Sequence, residues 1–531
     1  MVDCIFVGHN DIDFEGYVAS LKLIGEESPV YRDLRLNFIR HHGNPMTFPQ
    51  LYNQLCGRST AFGICSILSP AIVYLASYIA RRGFSFDWVN AFQEEKESFA
   101  RKLRNHDVHT IAITTTYYMQ SQPLVEIVRF VRKYNSKCKI IVGGPYIYSL
   151  YIANEHKNIL RMVDADYYII SQQGEATLVK LLEALRAGIS VKGIPNLAYR
   201  SGKAFAIDRV ETEVTDLEKD PAEWGEFAGH IGSVASVRSA VSCPFSCAFC
   251  GFPTRGGKYR TSQVMSLERE LNELYHLSGV ASIQYVDDTF NVPPARYKEI
   301  MRMMIMNNYG FKWNCQYRCQ YADRETVELM KESGCEGVFL GLEAANNVVL
   351  TNMNKAVTVE QYYRGLELLN EYEIPSHANF IIGFPGETEQ SYQDIKAFLA
   401  EAKPTFYRAQ LWYCDPTTPI WNQREKYKVK GRGFEWRHAT MDAREAHAKV
   451  EELFTTWDQT TWTPQYNFEF YGVCQLLHEG LSLNQIHRLI RYFNKGVRQQ
   501  LRGCDVDFDI LHSMNGVLTH TAPSTAPELL S

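Results

Sequence analysis

The spacing of apolar and polar positions changes character twice along the chain. Over residues 1–215, short apolar runs alternate with segments of helical period. Strands are expected at 3–7, 86–92, 110–115, 139–142 and 167–170, with helices at 72–80, 124–134 and 174–185 between them. This rhythm predicts an α/β domain: a doubly wound, Rossmann-like parallel sheet covered on both faces. Ligands of such sheets sit beyond the carboxyl ends of the strands. Those ends carry Thr114, Thr115 and Thr116, then Gly143, Gly144 and Pro145, then Gly174 and Glu175. Residues 10–68 read as loops and short helices without an assigned role, and the acidic stretch 210–226 reads as a linker. Six further strands are expected at 234–239, 282–286, 312–318, 337–342, 376–382 and 405–412, with helices between them. That count suggests a partial (β/α)6 TIM barrel, active at its strand carboxyl ends. From about residue 425 the pattern turns helical, at 441–457, 470–478 and 482–501. A loose Ser/Thr/Pro-rich tail is expected from Ser513. Three domains follow: 1–215, 216–425 and 426–531.

Composition narrows the class without naming a chemistry. The chain has 531 residues, 45% apolar and 22% charged, as a globular protein does. A net charge of −5 argues against a broad nucleic-acid surface. No apolar run is long enough to span a membrane, and the first residues read as a strand, not a secretory signal. A reduced, cytoplasmic protein is expected, with no membrane or nucleic-acid partner. Thirteen cysteines then need an account.

Three of them lie in Ser242-Cys243-Pro244-Phe245-Ser246-Cys247-Ala248-Phe249-Cys250-Gly251, directly after an expected strand. A zinc site wants a fourth ligand nearby, and the next cysteine is Cys315. An iron–sulfur cluster held by three thiolates keeps one iron open. The bland alternative is three packed core cysteines.

The C-x3-C-x-aromatic-C string, with Phe249 at the aromatic position, resembles the radical SAM superfamily. The resemblance implies one 4Fe-4S cluster on Cys243, Cys247 and Cys250. Its open iron would chelate S-adenosyl-L-methionine (SAM), cleaved to a 5′-deoxyadenosyl radical. Gln284–Phe290 resembles the family's amino-group motif, so Asp287 or Asp288 would accept from the SAM ammonium, with solvated loop acids the alternative. Arg318 would pair a carboxylate or form a surface ion pair. Glu343 in Gly341-Leu342-Glu343 matches the segment contacting the ribose or methionyl part. Ile381 and Gly383 match the fifth-strand motif behind the adenine, where glycine permits close backbone approach.

An N-terminal doubly wound domain before such a barrel resembles the cobalamin-binding class. Ser69, Thr114–Thr116, Gly143-Gly144-Pro145 and Gly174-Glu175 match its pocket. Gly193-Ile194-Pro195-Asn196-Leu197 matches its exit, with Asn in place of a Gly. A flavodoxin-like domain without cofactor is the alternative. Asp107-Val108-His109 only superficially resembles the D-x-H-x-x-G motif whose His ligates cobalt: it ends in Ala and lies too close to Gly143. Cobalamin without a protein His ligand is therefore expected.

The remaining cysteines are dispersed, so one cluster is the simplest count. Tyr413 and Cys414 follow the sixth strand as catalytic candidates, a proton or hydrogen-atom donor or a substrate contact; rim packing is the alternative. Trp436, Arg437 and His438 could line a substrate entrance. A helix start at Thr440 is the simpler account of that stretch. The late aromatics Trp457–Tyr471 read as core or as a surface for a substrate chain. The resemblance implies a C-methyltransferase acting on a peptide or other natural-product intermediate. It would use methylcobalamin and the 5′-deoxyadenosyl radical, and an electron donor such as flavodoxin or ferredoxin. A cyclisation, rearrangement or oxidation without methyl transfer is the second reading. A cofactor-responsive binding protein is the third.

Overall fold

The computed structural model describes residues 2–519 apart from 12, 59–62, 106, 119, 505 and 507. The first sheet runs Phe86–Ala91, Val2–His9, Val108–Thr114, Lys139–Gly143, Tyr167–Ile169, Leu197–Ser201, Ala204–Ile207. The first five strands are parallel. The last two add as an antiparallel hairpin that the alternation did not reveal. Val2–His9 is buried from Cys4 to His9, because helices cover both faces of a parallel sheet. Gln122–Tyr134 shows how those helices read. Leu124, Ile127, Val128 and Val131 are buried at the 3.6-residue period, and a proline lies in its first turn. Asn196, at the family's glycine position, adopts φ of 65°, a conformation that only Gly and Asn take readily.

The second sheet is a partial barrel. Its order is Val234–Val237, Ser282–Tyr285, Lys312–Gln316, Cys335–Glu343, Ser376–Ile382, Phe406–Leu411, Thr461–Trp462. All neighbours are parallel. The six expected strands are joined by a seventh from the C-terminal region. Two residues in a polar stretch show no period-2 pattern. What holds this strand is Trp462, 1% exposed, with its ring edge-on to Tyr407 at 5.3 Å.

Two expectations are corrected at the C-terminal end. The helix expected from Thr440 begins after Asp442, in Ala443–Thr456. Asp442 Oδ1 accepts from the Arg444 and Glu445 amides at 2.9 Å, and Glu445 accepts back from the Asp442 amide, a capping box. The stretch expected to be loose from Ser513 is helical as far as Thr519, in Phe508–Thr519; residues 520–531 lie outside the described residues.

Residues 10–68 acquire a place. Helices Phe14–Ile24, Pro29–Leu34 and Phe48–Leu55 and the hairpin Phe38–His41/Asn44–Thr47 pack on the C-terminal helices, not on the first sheet alone. Phe48 meets Phe468 at 4.6 Å and Phe493 at 5.5 Å. Tyr52 donates to Glu479 at 2.7 Å, Arg32 pairs with Glu451 at 3.0 Å, and Asn467 donates to Asp11 at 3.0 Å. The two ends of the chain build one cap. Among the described residues no helix is long and apolar enough to cross a membrane.

Candidate functional site

The three-cysteine loop leaves the first barrel strand through Ser242, whose φ of 67° turns the chain sharply. Neighbouring segments pin it. The Ala248 amide donates to Met353 O at 2.7 Å, the Ile420 amide to Ala248 O at 2.9 Å, and Asn354 Nδ2 to Ser246 O at 2.9 Å. Cys247 is buried; Cys243 and Cys250 are half-buried, and none is in a disulfide. The Phe252 amide donates to Cys250 Sγ at 3.4 Å, and Thr289 Oγ1 lies 3.3 Å from Cys243 Sγ. Such donors suit thiolates. Burial pushes the Cys250 thiol up to about 11, so a bound cation must displace its proton. Among the described residues no three His, Cys, Asp or Glu could hold a single metal ion. Thiolates serving separate corners of a cubane stand further apart than that.

The two carboxylates after the second strand divide their roles. Asp287 is 3% exposed, and its Oδ1 accepts from the Ser239 and Ala240 amides at 2.8 Å each, while Oδ2 takes Ser239 Oγ. It ties the exit of the first strand to the second. Asp288 lines the cavity described below. Burial, then the neighbouring Asp287, pushes its carboxyl up to about 7. Glu343, with φ of 68°, forms a buried ion pair with Lys355 at 3.1 Å. Lys355 also lies 5.4 Å from the Phe249 ring centroid. Arg318 stacks on Phe245 at 3.6 Å and donates to Lys355 O instead of pairing with a carboxylate. Ile381 is half-buried in the fifth strand. The Gly383 turn has φ of 91°, and a Cβ there would meet Trp436 at 2.4 Å. Glycine is therefore required by the indole, not only by an approaching ligand.

A cavity of about 550 Å³ lies between the two sheets. His9, Thr114, Thr116, Gly143, Gly144 and Pro145 line it from the first sheet; Ser236, Arg238, Gln284, Asp288 and Gln316 line it from the barrel. Both sets stand at strand carboxyl ends, so the two domains face one another. Helices Pro70–Ala80 and Glu175–Ala187 add apolar walls through Leu75 and Leu178. Tyr74 carries the junction: its hydroxyl accepts from the Arg238 amide at 2.8 Å and lies 3.3 Å from Glu270. Three residues that line it carry a buried polar atom without a partner: His9 Nε2, Gln173 Oε1 and Glu175 Oε2. Buried polar atoms are normally satisfied, so such a group marks a place for a ligand with polar edges. Apolar walls with an unpaired polar rim suit the amide-fringed, largely apolar face of a corrin.

Residues 237–399 match the family model of the radical SAM superfamily. This part of the chain belongs to that superfamily. An uncharacterised methyltransferase of Pyrococcus horikoshii is 22% identical over 359 residues, covering 66% of this chain and 77% of that protein. The anaerobic magnesium-protoporphyrin IX monomethyl ester cyclase of Cereibacter sphaeroides is 23% identical over 379 residues, 67% of this chain and 60% of the cyclase. Among solved structures, the cobalamin-dependent S-adenosylmethionine radical enzyme OxsB with aqua-cobalamin and S-adenosylmethionine bound superposes with a TM-score of 0.56. The identity is 13%, and the match covers 98% of this chain and 84% of OxsB. A sheet domain before a radical SAM barrel, as the motifs implied, is thus a known architecture.

In the radical SAM domain and its partner sheet, several anticipated residues stand off the cavity. Thr115 is fully buried and spends its hydroxyl on Gly143 O at 2.9 Å. Thr114 lines the cavity but donates to Val7 O at 3.3 Å. Gly144 and Gly174 take φ of 112° and 107°, so backbone geometry selects them. Tyr413 and Cys414 are not brought to the cavity. Cys414 is fully buried and bridges to Gly433, and its thiol is pushed up to about 11 by burial. Tyr413 is half exposed, with its ring on Phe434 at 5.0 Å. Trp436, Arg437 and His438 do not line the interdomain cavity: Trp436 Nε1 donates to Trp412 O at 2.8 Å, and His438 Nε2 lies 2.9 Å from Gly383 O. His109 stands exposed at the start of its strand.

Sequence reasoning missed His9, Arg238, Lys355, Gln316 and Glu469. It also missed Glu213, from the supposed linker, whose carboxylate accepts from the amides of Gly174 and Thr177 at 3.1 and 3.3 Å and so caps the Glu175–Ala187 helix. An acidic residue that caps a Gly-started helix from 39 positions further along the chain leaves no local signal.

Proposed function

We propose that the protein is a cobalamin-dependent radical SAM enzyme that methylates an unactivated carbon of a peptide or other natural-product intermediate. One observation carries this: a single cavity touches both the strand ends suited to a corrin and the strand ends beside the three-cysteine loop. When bound, a 4Fe-4S cluster with SAM supplies a 5′-deoxyadenosyl radical, and cobalamin supplies a transferable methyl group. Cys243, Cys247 and Cys250 hold the cluster, and Asp288 accepts from the SAM ammonium. The Glu343–Lys355 pair and Phe249 flank the methionyl part. Ser69, Thr116, Gln173 and Glu175 meet the cobalamin edge. Glu469, Gln316 and Tyr471, which also line the cavity, face the substrate with hydrogen-bonding groups and exclude water. Flavodoxin or ferredoxin in the reducing cytoplasm provides the electron.

The cyclase similarity supports a second reading, a cyclisation or oxidation without methyl transfer. The two separate in one experiment. Protein reconstituted anaerobically with iron, sulfide and hydroxocobalamin is reduced with titanium citrate and given SAM. S-Adenosylhomocysteine alongside 5′-deoxyadenosine is the expected result. 5′-Deoxyadenosine alone, with cobalamin retained, favours the second reading, and loss of both products removes the first.

A further inference from the structure

The segment that follows the sixth barrel strand turns strongly basic. Residues 424–437 hold six Lys or Arg against two Glu, in a chain whose net charge is −5. Arg424, Lys426, Lys428, Lys430, Arg432 and Arg437 are all exposed. Arg432 is paired with Glu155 at 2.6 Å, and Glu425 and Glu435 offset part of the rest. Among the described residues Arg424, Lys426 and Lys428 form no ion pair.

This segment is anchored on the cysteine loop. Ile420, whose amide is held by Ala248 O, precedes Arg424 by four residues, so at most about 14 Å of chain separates them. The Arg424 guanidinium lies 5.4 Å from the Trp421 ring centroid, and Lys426 Nζ donates to the Tyr427 hydroxyl at 3.1 Å. A Cβ added at Gly386 would lie 3.9 Å from the Tyr427 ring and would also meet Asn352. Asn352 precedes Met353, whose carbonyl holds the Ala248 amide. The loop itself reaches the surface, with Pro244, Ser246 and the Ser246 partner Asn354 all exposed. Arg424, Lys426 and Lys428 do not line the interdomain cavity. Positive charge therefore borders the cysteines from outside, where no substrate in the cavity would meet it.

We propose that this basic surface docks an acidic one-electron carrier protein, of flavodoxin or ferredoxin type, that reduces the cluster held by the loop. The proposal rests on the cluster reading above and gives the electron donor its place. One electron leaves the carrier and enters the oxidised cluster; no bond forms or breaks, and no proton moves. Opposite charges speed and orient such encounters, and redox interfaces are small enough for a patch of this kind.

Arg424→Glu/Lys426→Glu/Lys428→Glu is compared with wild type and with Lys133→Glu/Lys137→Glu/Lys139→Glu, an equal reversal of exposed charge where the chain enters the strand Lys139–Gly143. Binding of oxidised flavodoxin to the full-length protein is measured by thermophoresis at about 50 and 300 mM salt. Reconstituted protein is then given SAM with either reduced flavodoxin or titanium citrate, and 5′-deoxyadenosine is followed over time. Wild-type affinity for flavodoxin should weaken with salt. The first variant should lose at least about tenfold in that affinity and in the flavodoxin-driven rate, while all three proteins match with titanium citrate. Flavodoxin binding or flavodoxin-driven cleavage within about twofold of wild type in the first variant overturns the proposal, as does an equal loss in the second. A first variant that is equally slow with titanium citrate also overturns it, because the charges then act on the cluster and not on the carrier. No 5′-deoxyadenosine from wild type with titanium citrate defeats the cluster reading itself, a failure seen without any carrier.

Discussion

The adjacent carboxylates Asp287 and Asp288 offer the sharpest separation of architecture from chemistry. Asp287→Ala removes an acceptor that serves two buried amides, Ser239 and Ala240, and the Ser239 hydroxyl. Each stranded buried donor costs about 1–3 kcal/mol, so the two amides alone predict a loss of roughly 2–6 kcal/mol. In scanning fluorimetry the barrel transition should fall by at least several degrees. Asp288→Asn removes a carboxylate aimed at the cavity, which burial already disfavours as an anion. Its transition should stay within a degree or two of wild type. Its cost should appear in SAM binding to reconstituted protein, measured by anaerobic calorimetry. A charge-assisted hydrogen bond of about 1.5–3 kcal/mol corresponds to roughly 10- to 100-fold in Kd. Wild-type SAM affinity in Asp288→Asn, or an unchanged melting transition in Asp287→Ala, refutes the division of labour.

Three other perturbations test the frame around the site. Burial pushes the Glu270 carboxyl up to about 7 from its ordinary 4.5, so the folded chain keeps a proton that the unfolded chain has lost. That stabilisation is complete below pH about 4.5 and is lost as pH rises through about 7, roughly 3 kcal/mol in all. Glu270→Gln should flatten the midpoint-versus-pH curve between pH 5 and 8, and an unaltered slope counts against the assignment. Lys355→Met strands the buried Glu343 and should cost about 3–5 kcal/mol in urea denaturation, most of it recovered when Glu343→Gln is added. Gly383→Ala forces a Cβ into Trp436 in a left-handed conformation and should destabilise by about 2–4 kcal/mol, with Trp436→Leu relieving the steric share.

What could be read from the chain was what local spacing encodes. The three cysteines, the glycine-ended strands and the helices with apolar stripes depend on neighbours within about ten residues, and they stand where the pattern put them. Four of the six barrel strands end one or two residues before the expected limits, at Val237, Tyr285, Gln316 and Leu411. The residues that escaped reading are paired across the chain. Lys355 acquires meaning only beside Glu343 and Phe249, and Glu213 only when the linker folds back on the Gly174 turn. His9 is an ordinary residue in sequence. It stands out only once the folded sheet brings it to the wall of the cavity. Tyr413 and Cys414 show the converse: a correct strand end did not fix which way the next residues turn.

The shared cap has a consequence for how this molecule comes into being. Phe48, Leu51 and Tyr52 are synthesised early, but Phe468 and Phe493, which cover Phe48, leave the ribosome hundreds of residues later. During most of translation that early apolar surface is bare, a condition that invites chaperone capture or aggregation. The cap can close only after Phe493 has emerged. A nascent chain stalled after the barrel would hold a finished cysteine loop beneath an unfinished roof.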